Sequence, residues 1–486
     1  MRISIFMIPI SGNSMSTGVR KRRPWLLAVA LLSGCTHFQP RPISPAGSLA
    51  AYESRSLANP GLGRFLAANH VVLPGRGQRW DLKALTLTAF YYQPALAHAR
   101  AQLLAARAAR ITARERPNPS LSFTPAHDSG VPGVPSPWIV PVAIDWPIET
   151  AGRRGDRMAE ARHLAAAARW DLVGTVWRVR SRLRSTLLEL YTAHQTESLL
   201  ARQVSALRSV FNLLEGQFRA GAVSSYDVTR ARIALDNATL ARQVQEGQIR
   251  EARVALAGAI GVPVSALRGA HWSFAGFGRF PRDLTRSAVR QQALLGRSDV
   301  QAALARYAAS QSALKLEVAR QWPSIALGPG YAWNAQLGGD REWQLGLSLT
   351  LPILNQNQGP IAEARARRRV AAAQFLGVQS TAVAQIDGAL AVYRSTLEQV
   401  RTAERSFGDL TRELQSVRAQ VSAGELQPLD LANAEAAFYA GAQNRLATRI
   451  AAQQALGALQ DAVQSPLTLS PSQLQSAQNF PHSARP

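Results

Sequence analysis

The residues of this chain that could do chemistry are sparse, and they form neither a catalytic nor a metal-binding pattern. No two of the eight histidines stand at a spacing typical of a metal site, and His127-Asp128 lies in a predicted loop between strands. The one cysteine, Cys35, has no second cysteine with which to form a thiolate cluster. We therefore expect no enzyme activity, no bound metal and no cofactor.

Two aspartates stand out because the sequence around them occurs twice. Ala220-Gly221 is followed by Asp227, and Ala423-Gly424 is followed by Asp430 at the same spacing. An acidic side chain a few residues after a glycine turn is typical of a helix N-terminus, where a carboxylate accepts hydrogen bonds from free backbone N–H groups. Residue type alone does not separate this role from another.

These aspartates belong to a longer repeat with an offset of roughly 204 residues. Pro119-Ser120-Leu121 returns as Pro323-Ser324-Ile325, and Pro147-Ile148 returns as Pro352-Ile353. Self-similarity at a fixed period indicates one structural unit used twice. The predicted boundaries are a signal peptide (1–34), a lipidated extended segment (35–80), a first repeat (81–265), a second repeat (283–465) and a disordered tail (466–486).

Within each repeat, one segment alternates strictly between large apolar and small or polar residues. Every second residue from Trp138 to Ile148 is large and apolar, and so is every second residue from Trp343 to Ile353. Such alternation, with aromatic residues near the ends, matches a transmembrane β-strand of about 9–11 residues. A weaker strand precedes each segment, which predicts strand hairpins at 120–148 and 324–353. The alternative is a half-buried hairpin of a soluble protein.

Long helices are predicted on both sides of these hairpins. The alanine-rich pattern from Leu82 to Arg116 predicts one helix, ended by Pro117. After the hairpins, apolar residues recur at intervals of three and four, as in coiled coils, which predicts helix hairpins at 155–260 and 360–464. A helix from about Met158 to Arg219 would be roughly 90 Å long. Its arginine-rich faces exclude it from lipid, so it must project away from the membrane.

The N-terminus has the pattern of a secretory signal. Arg20-Lys21-Arg22-Arg23 precedes a short apolar run, Pro24 to Leu32, and then small residues that end at Cys35. The run is too short to span a membrane, and the order of basic, apolar and small residues is that of a cleaved signal. Because it ends at the lone cysteine, the segment resembles a bacterial lipoprotein signal, which predicts lipid attachment to Cys35. A free thiol after an ordinary signal is the alternative.

Composition argues against two other classes of protein. The net charge is +24, but only three of the 55 basic residues are lysines, and the arginines are spread along the predicted helices. Nucleic-acid-binding proteins concentrate such charge on one face with a recognisable reading module, and none is recognisable here. No run of 18 apolar residues occurs, which argues against a bundle of transmembrane helices.

Four membrane strands in one chain impose a requirement for other chains. Each unsatisfied backbone group costs several kcal/mol in lipid, so a spanning sheet cannot leave its edges unpaired. Four strands are too few to close a barrel, and about eight leave an interior filled by side chains. Three chains would give twelve strands and a possible lumen. The sequence therefore predicts an oligomeric β-barrel extended by a helical barrel, and hence a channel.

These features together resemble the TolC-like outer-membrane efflux protein family, over about residues 81–465. The resemblance rests on the lipoprotein signal, the two copies of strand hairpin plus helix hairpin, and the glycine–aspartate tips. Within the family, Pro117 to Leu121 and Gly152-Arg153-Arg154 look most like the CzcC-type branch, which works with heavy-metal pumps of the resistance–nodulation–division class.

The resemblance implies a mainly α-helical fold with a membrane β-barrel portion, assembled as a homotrimer with twelve strands. It implies a lipid-anchored location in the bacterial outer membrane, with a large periplasmic portion that docks onto a periplasmic adaptor and an inner-membrane pump. The implied activity is passive export of divalent heavy-metal cations or drugs. Family positions place adaptor docking at Ala220, Gly221, Ala423 and Gly424, and a periplasmic gate at Asp227 and Asp430.

The chain departs from the family pattern at Leu426, where the best-known member has arginine, and at Asn433, where it has a second acid. A different gate network is therefore expected. Two other functions remain open. One is the outer-membrane exit duct of a type I protein secretion system, and the other is a periplasmic coiled-coil lipoprotein without a pore. The alternating strands argue against the second.

Overall fold

The structure, a computed structural model, describes residues 37–75, 79–127, 138–281, 293, 296–334 and 340–464. The chain divides into an N-terminal unit, residues 1–52, and a main unit, residues 53–486. The predicted signal peptide, the predicted lipidation site at Cys35 and the predicted tail at 466–486 lie outside the described residues.

Helices make up most of the described chain. In chain order they are α1 (Pro45–Glu53), α2 (Pro60–Ala68), α3 (Leu82–Tyr92), α4 (Pro94–Arg114), α5 (Arg153–Arg219), α6 (Ser225–Ile260), α7 (Ser298–Ala319), α8 (Gln358–Ser422) and α9 (Pro428–Val463). The longest two, α5 and α8, have 67 and 65 residues. Of the helices in these ranges, α8 alone contains an 18-residue stretch that matches a membrane span in length and composition, and 17% of that stretch is buried.

The main sheet is antiparallel and joins strands from both repeats. Its order is β2 (Ser120–Phe123), β4 (Trp138–Ile148), β6 (Ser324–Asn334) and β7 (Asp340–Thr350), and the short β3 (Ala126–His127) also pairs with β4. The pairing of β4 with β6 connects the two repeats directly. A separate parallel pair links β1 (Arg79–Trp80) to β5 (His271–Trp272).

The register gives the main sheet two chemically different faces. Partners across the ladders point to the same side, so Leu121, Ile144 and Trp146 share a face with Leu327, Leu347 and their neighbours. The other face carries mostly small or polar residues, among them Ser122, Ala143, Ala326 and Ser348. The apolar face is uncovered in the isolated chain: Trp343, Leu345 and Leu347 are 84%, 75% and 68% exposed.

Two helix hairpins, α5–α6 and α8–α9, extend from the sheet. The larger core packs α5 and α6 against α2, α3 and the start of α4, and Leu183, Leu187 and Leu190 of α5 are fully buried within it. A smaller core packs Ile386 and Tyr393 of α8 against Leu459 of α9. Both cores use the three–four spacing seen in the sequence.

The structure corrects two details of the sequence-based prediction. The predicted helix from Leu82 to Arg116 is two helices, because Pro94 has no N–H to continue the hydrogen-bond ladder and begins a new helix at its first turn. The second alternating strand, predicted at 343–353, occupies Asp340–Thr350 instead. Pro352 cannot donate to a ladder, and the apolar residues Leu351 and Ile353 lie beyond the strand end.

Candidate functional site

The passage from strand to helix is held by arginines at the start of α5. Arg157 Nη1 donates to Glu149 Oε1 at 2.6 Å, and Arg157 Nη2 donates to Oε2 at 3.3 Å. The same guanidinium donates to the carbonyls of Ala113 and Glu115, at 3.1 and 2.9 Å. These carbonyls belong to the end of α4, where helices leave acceptors without intrahelical partners. Arg157 therefore fixes the end of α4, just before β2, against the start of α5, just after β4.

Arg153 binds the corresponding helix end in the second repeat. Its Nε donates to the carbonyl of Ala319 at 3.2 Å and its Nη1 to Ser324 Oγ at 3.0 Å, and Nη2 also contacts the carbonyl of Trp322. Arg153 thus joins the start of α5 to the end of α7 and the first residue of β6. At the matching position of the second repeat, Asn357 Nδ2 donates to the carbonyl of Glu317 at 2.8 Å. Arg153 of the first repeat and Asn357 of the second therefore both bond carbonyls at the end of α7.

The far ends of the helix hairpins are two tips with the same backbone design. Gly221 and Gly424 have φ of +74° and +79°, a left-handed conformation that disfavours side chains with a Cβ. The N–H of Ala222 bonds the carbonyl of Gln217 at 2.8 Å, and the N–H of Glu425 bonds that of Gln420 at 2.9 Å. This pattern is the Schellman C-cap, which ends α5 and α8 at the predicted glycines.

Both predicted gate aspartates accept hydrogen bonds at the first turn of the returning helix. Asp227 Oδ2 accepts hydrogen bonds from the Ser224 hydroxyl at 2.6 Å and from the Ser224 backbone N–H at 3.3 Å. Asp430 Oδ2 accepts from the backbone N–H of Gln427 at 3.0 Å. Both side chains belong to exposed residues. The structure therefore places each aspartate as a helix-capping residue, and its carboxylate remains open to solvent.

The two tips differ in how their helices are tied together above the turn. Near the second tip, Arg418 Nη2 donates to Glu435 Oε1 at 2.8 Å, which links α8 to α9. The equivalent positions in the first repeat carry the opposite charges, Glu215 and Arg232. There Arg232 lies over the ring of Phe211, with 5.2 Å from its Cζ to the centroid. The two tips therefore differ in the contacts that join their helices.

No group of three or more His, Cys, Asp or Glu side chains that could hold a metal occurs within the described residues. The described residues instead form a sheet with an exposed apolar face at one end of the long helices and two glycine turns at the other. Comparison with known proteins decides the family. The model of the family described as Outer membrane efflux protein matches residues 89–262 and 289–463. The chain belongs to the outer membrane efflux protein family.

The similar proteins cover 79–89% of the chain. The Pyoverdine export outer membrane protein OpmQ of Pseudomonas aeruginosa is 23% identical over 466 residues, which is 89% of this chain and 92% of that protein. The Campylobacter jejuni CmeC outer membrane channel has a TM-score of 0.65 and 17% identity, covering 83% of this chain and 90% of that one. A CusC structure has a TM-score of 0.64 and 18% identity, covering 79% and 92%.

These matches confirm part of what the sequence predicted. Outer membrane efflux proteins are channels and not enzymes, which confirms that the chain is not an enzyme. The similar structures also confirm the TolC-like, mostly helical fold. Twelve-stranded closure, the trimer, the lipid anchor and the tip roles stay predictions.

Sequence reasoning missed the positioning role of Arg153 and Arg157. Arg153 belongs to the Gly152-Arg153-Arg154 stretch, and Arg157 follows it by three residues. The sequence linked that stretch to a family resemblance and not to a structural role. Their acceptors lie up to 171 residues away in sequence, as with Arg153 and Ser324. The available signal was a cluster of arginines directly after a membrane strand, next to two helices that end in proline-containing turns.

We expect Arg157→Met to lower the stability of the folded protein by about 1–2 kcal/mol, because Glu149 and two carbonyls lose their donor and the pair is partly screened by solvent. Thermal unfolding of the purified protein followed by circular dichroism measures this. Arg162→Met, at an exposed position of the same helix, is the control and should leave the unfolding temperature unchanged.

The double variant Glu149→Gln/Arg157→Met should be more stable than Arg157→Met alone, because it no longer leaves a carboxylate without its cation. Equal unfolding temperatures for Arg157→Met and Arg162→Met would contradict the assigned role of Arg157.

Proposed function

We propose that this protein is the outer-membrane channel of a tripartite efflux system, and that it works as a homotrimer with a periplasmic adaptor and an inner-membrane pump. The observation that carries the proposal is the uncovered apolar face of the main sheet, next to a face of small and polar residues. A sheet with Trp343, Leu345 and Leu347 at 68–84% exposure suits lipid and not water.

The edges of that sheet support assembly. In the isolated chain β2 and β7 are the end strands, so β7 presents a row of backbone groups without a ladder partner. Such groups must be paired inside a membrane. Pairing β7 of one chain with β2 of the next would close a barrel, and three chains would supply the twelve strands of our proposal.

The helices support a periplasmic duct. The 67 residues of α5 extend about 100 Å at 1.5 Å per residue, about three times the thickness of the hydrocarbon layer. The tips around Gly221 and Gly424 would then lie far from the outer membrane, where an adaptor and a pump could reach them. Lipid attachment at Cys35 would anchor the chain in the same membrane.

The proposed substrate class is divalent heavy-metal cations, with drugs as the other candidate. On the small-residue face of the sheet, the described strand residues include the carboxylates of Asp145 and Glu342 and no lysine or arginine. Arg153 reaches this face only from the helix, at Ser324. A lumen lined by carboxylates favours cations. The name of OpmQ assigns pyoverdine export to that protein, so an organic substrate is the alternative that the experiments must separate.

Other functions fit the observations less well. An exit duct for type I protein secretion would share this fold, and the identity of the inner-membrane partner separates the two. A coiled-coil lipoprotein without a pore would have no use for the exposed apolar face of β7. The tips would serve as adaptor contacts and Asp227 and Asp430 as gate residues in the proposed assembly, in addition to their helix-capping bonds.

Purified protein added to planar bilayers should produce discrete conductance steps. Leu347→Arg places a charge on the face proposed to meet lipid, at a cost of about 2–4 kcal/mol per chain near the bilayer midplane, and should abolish insertion. The neighbouring Ser348→Arg lies on the opposite face and should insert with altered conductance. Absence of steps from the unmodified protein would contradict a channel, and insertion of Leu347→Arg at the normal rate would contradict the assigned faces.

We expect Asp430→Asn to shift the reversal potential in a salt gradient toward lower cation preference, because a trimer would lose three carboxylates around one axis. Asp227→Asn tests the first tip in the same way. The control is Asp409→Asn, at an exposed aspartate of α8 that pairs with Arg412. If Asp430 only caps its helix, the variant will lose thermal stability while its reversal potential equals that of the control.

Deleting the gene should sensitise cells to zinc, cobalt and cadmium, and a plasmid copy should restore growth. Growth on graded metal and drug concentrations measures this, with the Leu347→Arg copy as the non-inserting control. Unchanged metal tolerance combined with changed drug tolerance would replace the metal proposal by drug export.

A further inference from the structure

A cavity of about 690 Å³ lies where the two repeats meet on the helical side of the protein. Its walls come from α5, α9, the start of α3 and the connection after β5. Among the described residues, four cationic side chains line it, Lys83, Arg180, Arg184 and Arg279, together with one carboxylate, Asp81. Asp81 already accepts a hydrogen bond from the N–H of Ala84 at 2.7 Å, as the N-cap of α3. The cavity therefore has an excess of positive charge.

Arg180 is the unusual member of this set. It is 2% exposed, and its Nε and Nη1 are buried with no hydrogen-bond partner among the residues that the structure describes. Its guanidinium stacks on Trp177, with 4.7 Å from Cζ to the ring centroid. Burial, together with the charge of Arg184, lowers the pKa of Arg180 to about 10, and the charge of Asp461 acts in the opposite direction. A buried guanidinium with free donors is costly unless something accepts its hydrogen bonds.

The described polar groups near Arg180 form their hydrogen bonds with other partners. Asp461 Oδ1 accepts from Trp177 Nε1 at 3.0 Å, and Oδ2 accepts from the Ser181 hydroxyl. Arg184 Nη2 donates to the carbonyl and the side-chain oxygen of Gln453, both at 2.9 Å. Both carboxylate oxygens of Asp461 are thus already engaged, and Asp461 is not among the residues that line the cavity.

We propose that this cavity binds a small organic anion, a carboxylate or phosphate ester with an apolar body, whose oxygens pair with Arg180 and the cations at the cavity mouth. The apolar body would contact Phe277, Phe280 and Leu456, which also line the cavity. The volume is that of a typical small-molecule site. The bound anion would connect α5 of the first repeat to α9 of the second.

The anion would be a soluble molecule and not a lipid headgroup. Arg180 lies 27 residues after the start of α5 at Arg153. At 1.5 Å per residue this is about 40 Å from the end of the membrane strands, beyond the reach of a bilayer lipid that the sheet contacts.

The test is isothermal titration calorimetry on the full-length oligomer in a non-ionic detergent, at fixed ionic strength, with phenyl phosphate and inorganic phosphate as probes. Saturable binding of phenyl phosphate, tighter than that of inorganic phosphate, is expected for the wild type. Arg180→Gln should weaken it about tenfold or more, as for loss of a hydrogen bond to a charged group. Arg182→Gln, an exposed arginine on the same helix that does not line the cavity, should leave it unchanged.

If Arg180→Gln does not fold, Lys83→Gln and Arg279→Gln still test the site, because both residues line the cavity and are less buried than Arg180. Each should weaken phenyl phosphate binding several-fold without changing the circular dichroism spectrum. Binding should also raise the unfolding temperature of the wild type in proportion to the logarithm of probe concentration.

No saturable binding, equal binding by the wild type and every cavity variant, or equal weakening by Arg182→Gln would overturn the proposal. In that case water, or a movement of Gln460, would instead accept hydrogen bonds from Arg180; Gln460 Oε1 is also buried with no partner in the described part of the chain. Calorimetry tests the anion site and bilayer conductance tests the channel. The two proposals can therefore fail independently of each other.

Discussion

The backbone hydrogen bonds at the edges of the main sheet constrain the rest of this molecule. A sheet whose apolar face is exposed along β7 belongs in lipid, and lipid offers no donor or acceptor for an edge strand. In the part of the chain that the structure describes, the sheet runs β2–β4–β6–β7 with the short β3 also paired to β4, and β2 and β7 lie at its ends. The duplication doubles the number of strands per chain, but one chain alone does not form a closed barrel. In our proposal the unpaired strand edges therefore require other chains, and the closed barrel that these chains form is the channel.

The change from sheet to helix poses a second hydrogen-bonding problem, which the arginines of α5 resolve. Helices α4 and α7 both end directly before a strand, and each end leaves carbonyls without helical partners. Arg157 takes those of α4, and Arg153 takes those of α7. An arginine suits this position because its planar fork donates to several acceptors at once and stays charged. The strand ladders and the helix packing are thereby held in one register at the level where a membrane surface would lie.

Local sequence patterns predicted much of this architecture, because strands and helices have fixed periods. The alternation from Trp138 to Ile148 matched β4 to the residue, and the glycines at 221 and 424 marked both tips. The errors came from local chemistry that competes with periodicity. Pro94 divided one predicted helix, and Pro352 moved the end of β7. The sequence left a capping and a gate role open for the aspartates at the tips; the structure shows the caps, and a gate role depends on neighbours that one chain does not contain.

The contacts between repeats could not be predicted, since their partners are far apart in sequence. Arg184 and Gln453 are separated by 269 residues, and Trp177 and Asp461 by 284. Apolar residues alone would let α5 and α9 slide along each other, because any apolar neighbour satisfies another. Polar groups buried between them have few satisfying arrangements, so a shift of one helical turn would leave Asp461 and Arg184 without partners. We infer that the Trp177–Asp461 and Arg184–Gln453 hydrogen bonds set the register between the repeats. Next to these contacts, Arg180 Nε and Nη1 have no partner among the described residues, and the proposed anion would supply acceptors for the Arg180 guanidinium.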